Sequence, residues 1–292
     1  MGDPSSNSKI LPPLLSIIVP TLNQARFIAQ TLASIVGQCW PCTEIIVIDG
    51  GSTDGTADVV RRFGSAITHF ISEPDRGQAD AINKGFRLAK GDLLAWLNSD
   101  DYYLPAMLDR VAPLLGDGSA PRLAYGGTIA LLEQTGETKL WPAPPFDREA
   151  LQSRALIYQP SALWTRALWE KTGELNIAQH FTLDWDWFLR ASAHCDFTRI
   201  EAPLSVYRFH AGHKTGSGNP RRTEEICAFV EQHAGPAWGA AFRDVAAVLP
   251  TLVPGLTRLK RLGLFRWRTL FYRRLYHQHG AKVKVAISQL SV

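Results

Sequence analysis

Asp100 and Asp101 stand side by side at the exit of a short apolar run, Leu93-Leu94-Ala95-Trp96-Leu97, which is entered after Gly91-Asp92. A run of that length between turn residues is a buried strand. Acids at the carboxyl end of a strand in an α/β sheet most often hold a hard divalent cation against a phosphate-bearing ligand. The same pair ahead of Pro105 would also serve as an Asp-rich turn or helix cap, and on this stretch alone the two readings are even. Asp49 closes a second apolar run, ahead of Gly50-Gly51-Ser52-Thr53-Asp54-Gly55-Thr56. Glycines there let backbone approach a ligand, and the acid can accept from a base or ribose. It is also simply a good turn, and the G-x-G-x-x-G fingerprint is absent. Asp75-Arg76 offers a planar fork of donors to a phosphate, or a salt bridge between neighbours. Asp184 and Asp186 fall in the first turn of a helix, where acids commonly cap. Residues two apart do not share a helix face, so at most one of them meets a ligand. His210 and His213 follow a strand, and an imidazole near a carboxylate-bound cation would be a further ligand.

These residues need elements to position them. Leu15 to Val19 is a strand broken by Pro20-Thr21-Leu22-Asn23. Residues 24–38 place Ala25, Ile28, Leu32, Ile35 and Val36 at helical spacing, and Glu44 to Asp49 is a second strand. Strand, helix, strand within about 35 residues predicts a parallel sheet. A third strand is expected over Ala66 to Ser72, then a helix over Ala79 to Lys90 and another starting near Pro105. Short strands are expected at Arg122 to Tyr125 and Thr128 to Leu132, and a Pro-rich link at Trp141 to Phe146. Ile157 to Trp164 reads as a strand, Arg166 to Lys171 as a short helix, and the chain from Arg221 onward as helical. The organisation expected is a disordered leader over 1–13, a first half over 14–146, a second half over 147–220 that completes the site, and a helical basic region over 221–292.

At 292 residues, 46% hydrophobic and 20% charged, the chain has an ordinary globular composition and can bury a large core. The net charge of +4 conceals an asymmetry: nine Lys and Arg and no acid follow Asp244, leaving 22 basic against 27 acidic residues in positions 1 to 244. A basic tail suggests an anionic surface. Leu256 to Tyr276 mixes Leu, Phe and Trp with seven basic residues, which suits an interfacial helix or, equally, a docked helix with a solvated basic face. No secretory layout and no apolar run of roughly 20 residues is seen, so the expected location is cytoplasmic, with peripheral contact at the inner membrane face. Nucleic acid is not expected as a partner. Met1-Gly2 with Ser6 matches only the loose myristoylation pattern. Four cysteines are too few for a disulfide scaffold, and Cys39-Trp40-Pro41-Cys42 has redox spacing but sits in a helix-to-strand loop.

Taken together the motifs resemble those of the family 2 glycosyltransferases, inverting sugar transferases of the GT-A fold. The resemblance covers about residues 15 to 215. It rests on Ser16-Ile17-Ile18-Val19-Pro20-Thr21-Leu22-Asn23, on Glu44 through Thr56, on Ser72-Glu73-Pro74-Asp75-Arg76-Gly77-Gln78, and on Asn98-Ser99-Asp100-Asp101. Leu183-Asp184-Trp185-Asp186-Trp187-Phe188-Leu189-Arg190 and Tyr207-Arg208-Phe209-His210 complete it. It implies an α/β fold with a Rossmann-like, mostly parallel central sheet flanked by helices and a helical basic C-terminal extension. Residues 14–146 would be the nucleotide-sugar half and 147–220 the acceptor and catalytic half. Pro20, Thr21 and Asn23 would contact the nucleoside, Asp49 the base, usually uracil, and Asp75, Arg76 and Gln78 the ribose and diphosphate. The family's Asp-x-Asp metal motif falls on Asn98-Ser99-Asp100, so its first acid is an amide here. Asn98 and Ser99 then stay with the donor, and Mg²⁺ or Mn²⁺ falls to Asp100, with Asp101 and His210. Asp184 stands where the family keeps its catalytic base, and Asp186 is the second choice. The partners implied are a nucleotide-sugar donor and a glycan or lipid-linked acceptor.

Two other classes share the acidic α/β scaffold. A nucleotidyltransferase would carry a Gly- and Lys/Arg-rich triphosphate loop near the N-terminus, which Pro20 to Ala25 lacks. A non-catalytic sugar-nucleotide binder is suggested by Asn98. Of Trp141, Trp164, Trp169, Trp185 and Trp187, any could stack on a sugar ring, although most tryptophans are core. The Gln-x-x-Arg-Trp motif of processive synthases is not formed at Phe265-Arg266-Trp267.

Overall fold

The computed structural model describes residues 12–214, 219–261 and 273–290. The expected leader lies, through residue 11, outside the described residues, as does the 262–272 part of the basic stretch with Phe265-Arg266-Trp267.

Leu15–Thr21 forms β1 with every residue buried, and Thr43–Asp49 forms β2 beside it. Burial on both faces belongs to a parallel strand covered by helices. β1 pairs in parallel with β2 on one side and with β4 (Leu93–Trp96) on the other, and β3 (His69–Ser72) adds beyond β2. The third strand is shorter than its sequence suggests because Gly64–Ala66 winds into a 3-10 turn first. Helix α1 (Ile28–Val36) turns Ile28, Leu32 and Ile35 into the core. Helix α2 (Thr56–Arg61) follows the glycine-rich loop, and α3 (Gln78–Leu88) returns the chain to β4. Gly85 lets α3 lie against β1: a Cβ there would sit 2.3 Å from Ile18 Cγ2.

The sheet has nine strands in the order β3-β2-β1-β4-β8-β6-β9-β5, with β7 on β6. The β1 to β2 crossover runs one way and the β3 to β4 crossover returns to the far side of β1. The topological switch point therefore lies between β1 and β4, where open α/β sheets bind ligands. The second half closes the sheet with mixed pairing. β8 (Ala162–Thr165) is antiparallel to β4 and to β6 (Leu123–Leu132), and β9 (Thr198–Phe209) is parallel to β6. β5 (Tyr102–Tyr103) is antiparallel to β9, and β7 (Glu137–Trp141) to β6.

Two strands differ from their sequence outlines. The short strands expected at 122–125 and 128–132 are one strand, β6, whose register against β9 shifts on either side of Gly127, the extra residues lying on β9 between Arg199 and Ser205. The strand expected over Ile157 to Trp164 begins only at Ala162, because Gln159–Ser161 forms a 3-10 turn around Pro160, which has no N–H for the ladder.

Helix α4 (Met107–Leu115) covers one face of the sheet. On the other face, α5 (Arg166–Thr172) and α6 (Leu183–Ala191) enclose an aromatic core of Trp96, Trp164, Trp187, Phe188 and Phe86. Trp96 and Trp164 meet edge-on at 5.2 Å between ring centroids, a pairing worth about 0.5–1.5 kcal/mol beyond its burial. Beyond the sheet, α7 (Pro220–Ala234), α8 (Pro236–Arg261), α9 (Arg273–His279) and α10 (Lys282–Leu290) share an apolar cluster of Ile226, Phe229, Val230, Phe242, Val245, Val283 and Ala286. Trp185 of α6 inserts into that cluster, stacking near Phe229 at 4.6 Å, so the C-terminal helices are anchored on the helix that bears Asp184. No helix among the described residues is long and apolar enough to cross a membrane.

Candidate active site

A cleft of about 980 Å³ opens at the switch point, a size suited to a drug-sized or nucleotide-sized ligand. Pro20 and Thr21 enter it from the end of β1, Asp75, Gly77 and Gln78 from the turn before α3, and Asn98, Ser99, Asp100 and Asp101 from the turn after β4. Asp184 enters from the first turn of α6, with His213 and Lys214 from the segment after β9.

The donor-side loops are laced together. Asn23 adopts φ +52, donates its backbone N–H to Ser52 Oγ at 2.7 Å, and accepts from Thr53 N at 2.9 Å. Asp49 is fully buried and accepts from Ser72 Oγ at 2.6 Å and from Ser52. Both residues are thus spent on holding the glycine-rich loop and neither lines the cleft. The structure places Asp49, expected at the base, and Asn23, expected at the nucleoside, in this bracing network beside the cleft. Gly50 makes room for Asp75: a Cβ there would lie 2.6 Å from Asp75 Oδ2. The Arg76 side chain is 70% exposed and paired with Asp80 at 3.1 Å, and it is not among the residues lining the cleft. Thr21 Oγ1 is buried without a hydrogen-bond partner among the described residues, at the cleft wall.

Across the cleft runs a chain of amides and an amine. Lys214 Nζ donates to Gln78 Oε1 at 2.9 Å, and Gln78 Nε2 donates to Asn98 Oδ1 at 2.8 Å. Burial pushes Lys214 down to about 8, against the opposing pull of Asp184 and Glu225. The 98–101 turn is fixed from behind by Thr31, whose hydroxyl donates to the Ser99 and Asp101 carbonyls at 2.9 and 2.7 Å.

Asp100 Oδ2 lies 3.1 Å from His210 Nε2. Asp101 is 1% exposed, accepts from Arg208 N at 2.9 Å, and leaves Oδ2 without a partner. Burial first, and the Asp100 charge second, raise its pKa well above the carboxylate range. No trio of acids, histidines or cysteines among the described residues forms a closed metal cage. The donor set still fits a hard cation of the kind that takes one or two carboxylates and fills its shell with water and substrate phosphates. Asp100 would supply the oxygen, His210 a nitrogen beside it, and Asp101 Oδ2, without a hydrogen-bond partner among the described residues, a lone pair in the same turn. Burial drives His213 down to about 4, so that ring is neutral near pH 7 and donates to or accepts from Tyr207 at 2.8 Å.

The two acids of α6 separate as their spacing requires. Asp184 lines the cleft and accepts from Trp185 N at 2.8 Å. Burial raises its pKa above the usual range, and Glu225 adds to the rise while Lys214 opposes it. Asp186 points away, paired with Arg190 at 2.8 Å, and Arg190 also donates to the Thr172 and Glu174 carbonyls.

Glu225 of α7 carries a role no sequence signal announces. Its carboxylate accepts from the backbone N–H groups of His180, Phe181 and Thr182, at 3.0, 2.7 and 2.7 Å, and from Thr182 Oγ1 at 2.9 Å. It satisfies orphan donors at the start of α6 in place of a local cap, two residues before Asp184. Gln159 is similarly unannounced: it donates to the Trp96 carbonyl at 2.7 Å and keeps a buried, unpartnered Oε1 at the cleft wall. Of the five tryptophans weighed for sugar stacking, Trp164, Trp169, Trp185 and Trp187 are core, and Trp141 lines the cleft.

A mixed sheet with its ligand crevice at the β1/β4 switch point, acids at the end of β4 and a buried acid facing them defines a glycosyltransferase of the GT-A fold. The chain belongs to glycosyl transferase family 2, whose model matches residues 16–142. A glycosyltransferase of PGL/p-HBAD biosynthesis from Mycobacterium bovis BCG is 32% identical over 182 residues, 61% of this chain and 69% of that protein. The mannosyltransferase PcManGT of Pyrobaculum calidifontis, solved with GDP-Man and Mn²⁺, superposes with a TM-score of 0.60 at 19% identity, covering 96% of this chain and 87% of that one. S. aureus TarS 1-349, solved with UDP-GlcNAc, gives 0.56 at 16% identity over 75% of this chain and 67% of that one. At such identities the two structures speak to the fold alone.

Proposed function

We propose that this glycosyltransferase moves a sugar, with inversion, from a nucleoside-diphosphate donor, a UDP-sugar, to a glycan or lipid-linked acceptor hydroxyl in the synthesis of cell-surface glycan or glycolipid. The observation that carries the reading is that Asp184, a carboxylate made more basic by burial, faces the same cleft as the Asp100 and His210 pair. Residues 14–146 then form the nucleotide-sugar half, 147–220 the acceptor half, and 221–292 the helical region bracing it. Pro20 and Thr21 receive the nucleoside. Asp75 lies at the ribose end, and Gln78, Asn98 and Ser99 line the path to the diphosphate. Lys214 takes the role expected of Arg76, a cation beside the leaving group.

Mg²⁺ or Mn²⁺, held by Asp100 with His210 and Asp101, would supply charge neutralisation to the departing diphosphate. The acceptor hydroxyl gives its proton to Asp184 Oδ as its oxygen bonds to the anomeric carbon and the bond to the diphosphate oxygen breaks on the opposite face. Inversion follows from one displacement. Proton removal by a placed base is worth roughly 10²–10⁴ in rate. Trp141, Tyr158 and Phe181 give the cleft apolar ring faces.

The test is a panel of UDP- and GDP-sugars screened by thermal shift with Mn²⁺, followed by nucleoside diphosphate release with candidate acceptors. Acceptor-dependent release from one donor, abolished by EDTA, is the expected result. Stabilisation without release from any donor would leave only a binding protein, and pyrophosphate-forming activity would make it a nucleotidyltransferase.

A further inference from the structure

Both signs of charge line the cleft: the acids Asp75, Asp100, Asp101 and Asp184, and the cations Arg222 of α7, Arg154 and Lys139 of β7. Arg222 is the telling member. It is only 8% exposed; among the described residues its side chain makes no ion pair, and its one side-chain hydrogen bond runs to the Gln289 carbonyl at 2.9 Å. A buried guanidinium without a carboxylate is costly, and such cations are retained where an anion completes them. Burial lowers its pKa, with only Tyr207 opposing. The site around it is built. Gln289 Oε1 also accepts from Ala155 N at 3.0 Å, tying α10 to the Arg154 segment. The Trp141 ring, at the cleft wall, lies 5.7 Å from Tyr158 and 6.3 Å from Tyr207. Arg222 precedes Glu225 by three residues, on the same face of α7, so the cation stands one helical turn from the residue that fixes the approach to Asp184.

Resting on the sugar-transfer reading above, we propose that the part of the cleft around Arg222 is the acceptor subsite and selects an anionic acceptor, a phosphorylated or carboxylated sugar whose ring lies on Trp141 and whose anion pairs with Arg222. The fork of Arg222 suits either oxyanion, and Arg154 and Lys139 at the rim draw it in.

The experiment is titration calorimetry on the full chain saturated with Mn²⁺ and UDP, or GDP if that binds tighter. Glucose 1-phosphate, glucuronate and methyl glucoside are the probes. At least one anionic probe is expected to bind about tenfold or more tighter than methyl glucoside, and which one does so names the oxyanion. Arg222→Gln should erase the preference while nucleoside diphosphate affinity stays. Exposed Arg154→Gln, which cannot unfold the site, should reduce the preference severalfold. Equal binding of the three probes by the wild-type protein, or a preference that survives folded R222Q, overturns the inference while leaving the transferase reading intact. Failure to bind any nucleoside diphosphate would instead undo the reading beneath it.

Discussion

Asp100 and Asp184 face one cleft, yet they are held there in opposite ways. Asp100 sits on a turn delivered by a parallel strand and braced by Thr31 of the adjacent helix, with the end of β9 closing on it through His210 beside Asp100 and Arg208 N donating to Asp101. Asp184 sits on a helix whose start is clamped by Glu225, from a helix further along the chain, and whose Trp185 is buried among the C-terminal helices. One acid meets charge by facing a histidine; the other is made more basic by losing water. The difference teaches that the leaving-group side is a property of the sheet, and the base side a property of how the late helices dock on it.

The comparison breaks most sharply at the base. Asp184→Asn should lower kcat by about 10²–10⁴ with donor affinity changed less than about threefold, measured by turnover and calorimetry. Asp100→Ala should do the reverse, weakening Mn²⁺-dependent donor binding by about 100-fold, roughly 2.7 kcal/mol, with little change in EDTA. A smaller effect tests the clamp. Glu225→Gln should lower kcat by about tenfold, about 1.4 kcal/mol. Because the Glu225 charge raises the Asp184 pKa, its removal should move the acid limb of the kcat profile to lower pH, a shift that misfolding would not produce.

A pH profile sharpens the donor side too. Asp184 must be deprotonated to act, so activity should fall as pH drops through its raised pKa. Lys214 must be charged to meet the incoming diphosphate, so kcat/KM for the donor should also fall above about pH 8, the value to which burial brings it in the free enzyme. Lys214→Gln should flatten that alkaline limb. Least affected should be Asp186→Asn, with kcat within about threefold of wild type and about 1–2 kcal/mol of stability lost, since its pair with Arg190 is partly solvated.

The parallel half was readable because its strands are short, continuously apolar and ended by turn residues, a signal that is local. Its ligand groups at strand ends, Thr21, Asp75 and Asp100, follow from that reading. A sequence shows that Arg76 and Asp49 can bind phosphate or base; that they pair with Asp80 and with two serine hydroxyls is visible only in the fold. The second half depended on long-range pairing: pairing with β9 across the register shifts beside Gly127 joined two apparent strands, and Pro160 shortened a third. Asp184 and Asp186 were separable in principle by helix geometry, but which faced the cleft was fixed by Arg190 and the clamp from residue 225. Lys214, Gln159, Arg222 and Glu225 belong to no local pattern, and only the folded chain gathers them.

The most direct test of the account is the configuration of the first product formed from an α-linked sugar nucleotide, read from its anomeric proton coupling by NMR. A single displacement with Asp184 as base predicts a β-linked product. An α-linked product would mean a second nucleophile or a front-face path, and would contradict it.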